Sequence, residues 1–534
     1  MNMNKTKWIF AAALLLVTAC ASDDATQTGE QKKETATNGY ATFVAGKEPT
    51  QTRTSLDYNT GKFYWEAGDN IFVKDDAGTW QTASNAVSGT AKSYYRFLLS
   101  GAFAGTSYTV FYPGKNGTND QVTIATSQKQ TTPADTKHLG EAGDCGLATA
   151  TGTSANFNFT LDHKAAILVF QPYTSDALLQ DCYLRKIEVI SDNNIAGTYT
   201  LDPVTKKLTG TGTSNTITLT TGNYGGGSGG FPMTNSSADL STNGAYMVIA
   251  PGHHKLRVKY WLQSRSADDK MGNKIEGTVT KDLPTFNYEE NNYYDMTANL
   301  QITYYPAANA HYMWDAQQEY WFGHRDAAGL PDGNFPPNNG SPADVRSYNL
   351  MPGYSDDSGS APAVTATHTA AKCPNINEMA WYILRGEPHW DTDLWAMLGR
   401  LYAGGMWFKK KAQISGFVSN AAPDGTDYTK STNGYNGPDR ATPVHGKPSD
   451  SEISKYFYLP AFGYYDSQYP FNAYPSGVYA ATTGRARLTQ SIGLNRITWS
   501  SALTKYVCTP MSVITRGSLC GPPSELHERK RIYF

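Results

Sequence analysis

"NFNFTLDHKAAILVFQP", residues Asn156–Pro172, decides the fold class. It alternates between apolar and polar residues, so Phe157, Phe159 and Leu161 fall on one face of an extended strand. Runs of the same kind lie on both sides. Upstream are "YATFVAG" (40–46), "GKFYWEAGDNIFVKD" (61–75, two strands about a Gly-Asp turn), "SYYRFLLSGAF" (93–103), "TSYTVFYPG" (106–114) and "QVTIAT" (121–126). Downstream are "CYLRKIEVIS" (182–191), "AGTYTLDPVTKKLTG" (196–210), "NTITLT" (215–220), "AYMVIAPG" (245–252), "HKLRVKYWLQ" (254–263), "KIEGTVT" (274–280) and "YYDMTANLQITY" (293–304). Pro and Gly clusters punctuate these runs at about eight to twelve residues. That spacing predicts a mainly β chain with two consecutive β-sandwiches, at 40–175 and 176–300. "GNYGGGSGGFP" (222–232) reads as a loop inside the second.

Composition agrees. The 534 residues include 49 Gly and 35 Tyr, and only 17% are charged, a mix that suits short strands and turns. The net charge of −2 hides an asymmetry: residues 481–534 carry eight Lys/Arg and two Glu, leaving −8 on residues 1–480. An acidic body argues against a nucleic-acid partner. No Gly-x-Ser-x-Gly, His-Glu-x-x-His or Walker pattern occurs, and nothing marks an acid/base pair, so the expectation is a protein that is not an enzyme and needs no cofactor.

The N-terminus reads as a secretion signal. "MNMNKTK" is basic, and "WIFAAALLLVTA" is apolar but short for a membrane span. Thr18 and Ala19 before Cys20 resemble a lipobox, which implies a signal peptide at 1–19, lipidation (palmitate) of Cys20 and outer-membrane anchoring. A polar tether, 20–39, follows; its "SDD" resembles the acidic surface-export signals of Bacteroidales lipoproteins. The spacing of Cys145, Cys182, Cys373, Cys508 and Cys520 fits no zinc module. Cys145 and Cys182 read either as a disulfide or as unpaired structural thiols.

"TRTSLDYNTGKFYWEAGDNIFV", "FTLDHKAAILVF" and "AGTYTLD…YMVIAPG", in that order and spacing, resemble the fimbrillin-like (type V pilin) lipoproteins of Bacteroidales. The resemblance covers 40–300. It implies two transthyretin-like β-sandwiches, a role as pilus subunit or adhesin, and other pilin subunits as partners. It also implies a processing site. The loop "KEPTQTRTSLDY" after the first strand exposes Lys47 and Arg53; in related pilins a trypsin-like protease cuts there after an Arg. The first strand is lost and its groove accepts a strand from the next subunit. Arg53 is the candidate by position, the alternative being a plain surface Arg.

From residue 301 the pattern changes. "YYPAANAHYMWDAQQEYWFGH" predicts a short amphipathic helix near Met313–Trp321. In "KCPNINEMAWYILRGEPHWDTDLWAMLGRLYAGGMWFKKKAQI" (372–414), Asn375 caps a helix whose Met379, Trp381, Tyr382 and Leu384 face inward, stopped by Gly386. "YFYLPAFGYY" (456–465) reads as a buried aromatic strand. This order resembles the Fibrobacter succinogenes major paralogous domain, which implies an α+β, C-type-lectin-like domain over 301–480. That family continues with "GYYWSSS" and closes on a "GF.VRP"-like motif. Read one base back, Ala481–Leu488 can become Gly-Tyr-Tyr-Trp-Ser-Ser-Ser-Ala, and Gly517–Pro522 can supply Gly, Phe, Val, Arg and Pro in the same frame. Residues 481–534 therefore read as an out-of-frame tail, the shift falling between about Asp466 and Ala480; the alternative is a divergent basic tail.

Candidate ligand groups cluster in "GEPHWDTD". Asp391 and Asp393, beside His389 and Glu387, offer oxygen ligands for Ca²⁺ or are solvated turn carboxylates. Trp390, Trp395 and Trp407 either stack on sugar rings or fill a core. His253 and His254 point to opposite strand faces and read as surface residues. The leading expectation is a surface-anchored pilus subunit at the tip, because residues 301–534 follow the second sandwich where a shaft subunit needs a free donor strand. The runner-up is a monomeric outer-membrane glycan-binding lipoprotein.

Overall fold

A computed structural model of the chain describes residues 39–46, 55–58, 62–222, 229–266, 274–306, 316–330, 344–346, 367–368, 374–430, 440–441 and 443–461, with short strands at 478–480, 487–489 and 497–499. The signal segment, Cys20 and most of the 481–534 tail lie outside the described residues.

The protein is mainly β. Its first strands are β1 (Ala41–Ala45), β2 (Ser55–Asp57), β3 (Lys62–Tyr64), β4 (Phe72–Lys74), β5 (Trp80–Thr82), β6 (Tyr95–Leu99) and β7 (Ser107–Tyr112). Next come β8 (Gln121–Ile124), β9 (Ser127–Gln130), β10 (Gly146–Thr153), β11 (Asn156–Phe159), β12 (Asp162–His163) and β13 (Ala166–Tyr173). In β11 the expected alternation is literal: Asn156 and Asn158 are exposed, Phe157 and Phe159 buried. One sheet runs β5-β4-β7-β10-β11-β1-β6, with β12 on β10. A bridge between Ala83 and Leu99 brings its two ends together. The inner face therefore encloses its own core, in which Phe43, Trp65, Val73, Phe97, Val110 and Phe157 have no exposed surface.

A second core is built from β14 (Cys182–Ser191), β15 (Gly197–Asp202), β16 (Lys207–Thr209), β17 (Thr216–Thr221), β18 (Phe231–Pro232) and β19 (Ala245–Ile249). The long strands β20 (Gly252–Ser264), β21 (Glu276–Tyr288) and β22 (Tyr293–Asn299) complete it, followed by β23 (Thr303–Tyr304). Strand pairing crosses the boundary read at 175/176. β13 is the middle strand between β19 and β22, which is why Ala166–Phe170 is buried without interruption. β8 pairs with β15, and β9 runs parallel to β17. The chain thus leaves the first sheet after β7, donates two strands to the second core, and returns as β10.

The β9 excursion closes an edge by side chains. Gln128 Nε2 donates to the Val248 carbonyl (2.8 Å) and its Oε1 accepts from Val248 N (2.9 Å). Gln130 does the same with the Gly244 carbonyl (2.9 Å) and Tyr246 N (2.8 Å). Both amides are buried and act as a neighbouring strand for β19.

The third region continues the second sheet. Its strands are β24 (His389–Met397), β25 (Arg400–Lys409), β26 (Arg440–Ala441), β27 (Val444–His445) and β28 (Tyr456–Pro460). The sheet order is β28-β25-β24-β21-β20-β14-β17-β9. The helix Ile376–Arg385 begins at Asn375, whose side chain accepts from Glu378 N while Glu378 returns a bond to Asn375 N, a complete capping box. Met379, Ala380, Trp381 and Ile383 are buried; Tyr382 and Leu384 are half-buried. The helix expected near Met313–Trp321 is not formed where the chain is described: 316–321 is bends and turns. Glu319 accepts from Trp321 N (2.7 Å) and pairs with Arg325 (2.7 Å), which draws the local backbone away from a helical path. β28 is less buried than its aromatic sequence suggests, with Phe457, Tyr458 and Leu459 half-exposed; β25 is its ladder neighbour.

Candidate functional site

β1 is five residues long and central. It lies antiparallel to β6 and parallel to β11. Ala41, Phe43 and Ala45 point inward, and the small alanines flank one large ring, as the alternation of "ATFVA" dictates. Phe43 stacks on Phe157 (4.8 Å between centroids) and meets Phe103 edge-on (5.2 Å). It is the strand's anchor.

The walls of this seat stand without β1. β11 pairs with β10. β6 is held on its far side by the segment before it: Ser84 N donates to the Leu98 carbonyl (2.8 Å). The Asn85 amide takes Leu98 N (2.7 Å) and donates to the Arg96 carbonyl (2.8 Å). Removing β1 therefore leaves a slot between two fixed strands, floored by Phe97, Leu99, Phe157 and Phe159, with unpaired backbone groups on both sides.

The chain beyond the slot is tied elsewhere. At the β2–β3 hairpin, Tyr58 donates to both Asp295 oxygens (2.8 and 2.9 Å) and its ring meets Tyr293 (5.5 Å), both on β22. Burial, then the bond and charge of Asp295, push the Tyr58 phenol above its ordinary value. Phe63 stacks on His163 (4.0 Å), itself bonded to buried Asp144. β1 and the hairpin are thus bound to different cores. Arg53 lies between them, outside the described residues, as does Lys47.

The ligand candidates of the third region are engaged within the fold. Trp395 is 2% exposed, stacks on Tyr402 (4.4 Å, 6°) and donates to the Gly404 carbonyl. Trp407 is 5% exposed and donates to Asp391 Oδ2 (3.0 Å). Trp390 is half-buried against the helix core. Asp391 also accepts from Asp393 N (3.1 Å), and Asp393 accepts from the hydroxyls of Thr278 (2.9 Å) and Thr280 (2.7 Å) on β21. These carboxylates fasten strands together. Among the described residues no group of three or more His, Cys, Asp or Glu is placed to hold a metal ion. His254 corrects its surface reading: it is buried, with Nε2 on the Ala250 carbonyl (3.0 Å) and Nδ1 on Asn193, while His253 is exposed. Cys145 and Cys182 are separate buried thiols, and burial pushes Cys145 well up.

The sequence did not reveal the Ser84–Asn85 brace, the Tyr58 latch or the Gln128–Gln130 clamp. "SQKQ" has no apolar residue to mark a strand.

No protein-family model matches the chain, and no curated protein matches it in sequence. Solved structures do resemble it. A protein from Bacteroides ovatus described as a candidate cell adhesion protein is 14% identical, covers 49% of this chain and 93% of its own, and superposes with a TM-score of 0.28. A fimbrial protein from the same species is 13% identical over 53% of each chain (TM-score 0.21). The tip fimbrial protein Mfa3 from Porphyromonas gingivalis, with a C-terminal truncation, is 12% identical over 49% of this chain and 95% of its own (TM-score 0.25).

Proposed function

We propose that this chain is a lipid-anchored, cell-surface fimbrial subunit in a terminal position, joined to its neighbour by exchange of the β1 strand. It acts by binding rather than by catalysis. The observation that carries this reading is the seat of β1: a short central strand with one buried ring, between walls braced independently of it. A cut after Arg53 frees β1 while the Tyr58 latch holds the new chain end on the second core. A strand from another subunit then restores both ladders, where main-chain bonds give affinity and the Phe43 pocket gives register. The terminal position is supported by the chain after β22, which is held as β23 against β24. Cys20 carries the anchor.

The test uses purified chain treated with trypsin. Nicked protein is expected to release the β1 fragment and take up a labelled synthetic peptide of residues 39–46, whereas the double variant Lys47→Gln with Arg53→Ala, which leaves no trypsin site between β1 and β2, stays uncut there and excludes it. Arg53→Ala chains that enter fibres as readily as the parent would refute the assigned cut. A nicked protein that neither loses β1 nor binds the peptide or a companion subunit supports the monomeric glycan-binding reading.

A further inference from the structure

The outer face of the second core carries an arrangement that strand exchange does not use. β14 breaks its ladder with β20 between Leu184 and Lys186: Leu184 pairs with Leu262, and Lys186 with Trp261. This bulge turns two consecutive residues, Arg185 and Lys186, away from the core, while Leu184 and Ile187 on either side are fully buried. It is built in. Thr221 donates its hydroxyl to the Leu184 carbonyl. Gly230, at φ +138°, passes so close that a Cβ there would sit 2.1 Å from the same carbonyl oxygen.

The bulge faces a shallow basin of about 430 Å³, lined by Ser127 and Lys129 of β9, Thr218 and Thr220 of β17, Arg185 and Lys186 of β14, and Glu276 of β21. Register fixes the layout. Lys129 lies opposite Thr220, and Thr220 opposite Lys186. The two lysines therefore stand on strands about 10 Å apart at the usual sheet spacing, with Thr220 on the strand between them. Lys186 lies over the Trp261 ring at 4.0 Å. Arg185 donates to Gln263 (2.6 Å), whose amide donates to Glu276 (3.1 Å), so the acid of the basin is engaged at its rim. The neighbouring Glu188 pairs with Lys259 (3.6 Å). Three cations thus outnumber one carboxylate in a concave site rich in hydroxyls.

We propose that this basin binds an anionic carbohydrate: a polysaccharide segment bearing carboxylate or sulfate on alternate sugars. Charge complementarity sets the sign of the ligand. Lys129 on β9 and Lys186, whose ammonium leans over Trp261 on β20, present cations at two separated points, as a saccharide charged on spaced sugars requires. The threonine and serine hydroxyls supply the neutral donors and acceptors that sugar hydroxyls need. An acidic peptide fits less well, because the basin opens on the face of the sheet, where side chains rather than ladder groups meet a ligand.

The proposal is independent of polymerisation and is tested on the full chain by titration with heparin-derived oligosaccharides and oligogalacturonate. Dextran and polyglutamate serve as controls. Both anionic saccharides are expected to bind, and dextran is not. The pair Lys129→Gln with Lys186→Gln should weaken binding about tenfold or more, the loss of one to two charge-assisted contacts. The pair Lys206→Gln with Lys207→Gln, at the exposed β15–β16 turn, removes the same charge and should leave affinity unchanged. Equal affinity in both double variants overturns the site. Equal binding of dextran, or of polyglutamate, overturns the ligand class. Thermal melts of the variants separate a lost site from a lost fold.

Discussion

Phe43→Ala tests the seat of β1 directly. The ring is fully buried and touches Phe103, Tyr108 and Phe157. Truncating a buried Phe costs about 3–5 kcal/mol. The edge-on and stacked partners place this site toward the upper end. The cost is local, because Phe43 belongs to the first core and the second is a separate cluster. At about 1.4 kcal/mol per factor of ten, openings that release β1 should become roughly a hundred to several thousand times more frequent. Native-state hydrogen exchange with peptide-level mass spectrometry reads this. Amides of β1, β6 and β11 should lose protection by that factor, while β14, β17 and β20 keep theirs. Phe43→Leu, which keeps most of the volume, should cost under about 1.5 kcal/mol. If β1 protection is unchanged, or both cores lose protection equally, the strand is not a separable unit and the reasoning fails.

Asp282 bridges Arg257 (2.6 Å) on β20 and Lys447 (2.5 Å) of the third region. Burial alone would raise its pKa, but Lys447 and Arg257 more than offset this and hold it below the ordinary value. A depressed carboxylate stabilises above its unfolded pKa near 4 and stops doing so as pH falls through the lower folded value. Proteolytic release of the third region should therefore accelerate below about pH 4, and Lys447→Ala should reduce that pH dependence; a flat profile from pH 6 to 3 counts against the clasp. Asp393→Ala strips the acceptor from Thr278 and Thr280 and should destabilise the β21–β24 junction by about 1–3 kcal/mol in a urea melt; an unchanged midpoint disproves it. Cys20→Ala should move the protein from membrane to soluble fractions, and continued retention sinks the anchor. In the gene, an out-of-frame tail requires the Thr483 codon to end in T, and any other base rules that reading out.

Local patterns were legible where one residue type does one job. The alternation at Phe157 and Phe159 located β11, and Asn375 marked a helix start that the structure forms. What stayed hidden was partnership. A period of two says which face a residue takes, not which strand lies beside it, so nothing in "QVTIATSQKQ" assigns β8 and β9 to β15 and β17. His254 shows the same limit: the two histidines do face opposite ways, but which face is covered depends on Ala250 and Asn193. Trp395, Trp407 and Asp391 look like ligand chemistry in one dimension, yet in the fold they bond main chain and one another. Over 316–321 the helix read near Trp321 is not formed, and there the Glu319 side chain takes the Trp321 amide.

The excursion of β8 and β9 also bears on how the protein is made. Ile124 waits for Gly197 and Ser127 for Thr218, while Phe43 waits for Phe157. During synthesis each half is held open by strands not yet translated. Such non-local pairing slows folding and leaves apolar edges exposed on the way. A fragment ended at residue 175 would carry β8, β9 and β13 without their partners, and one begun at 176 would lack them. The smallest piece expected to fold and be purified is the whole of both cores, and expression trials that split them should yield aggregate from either half.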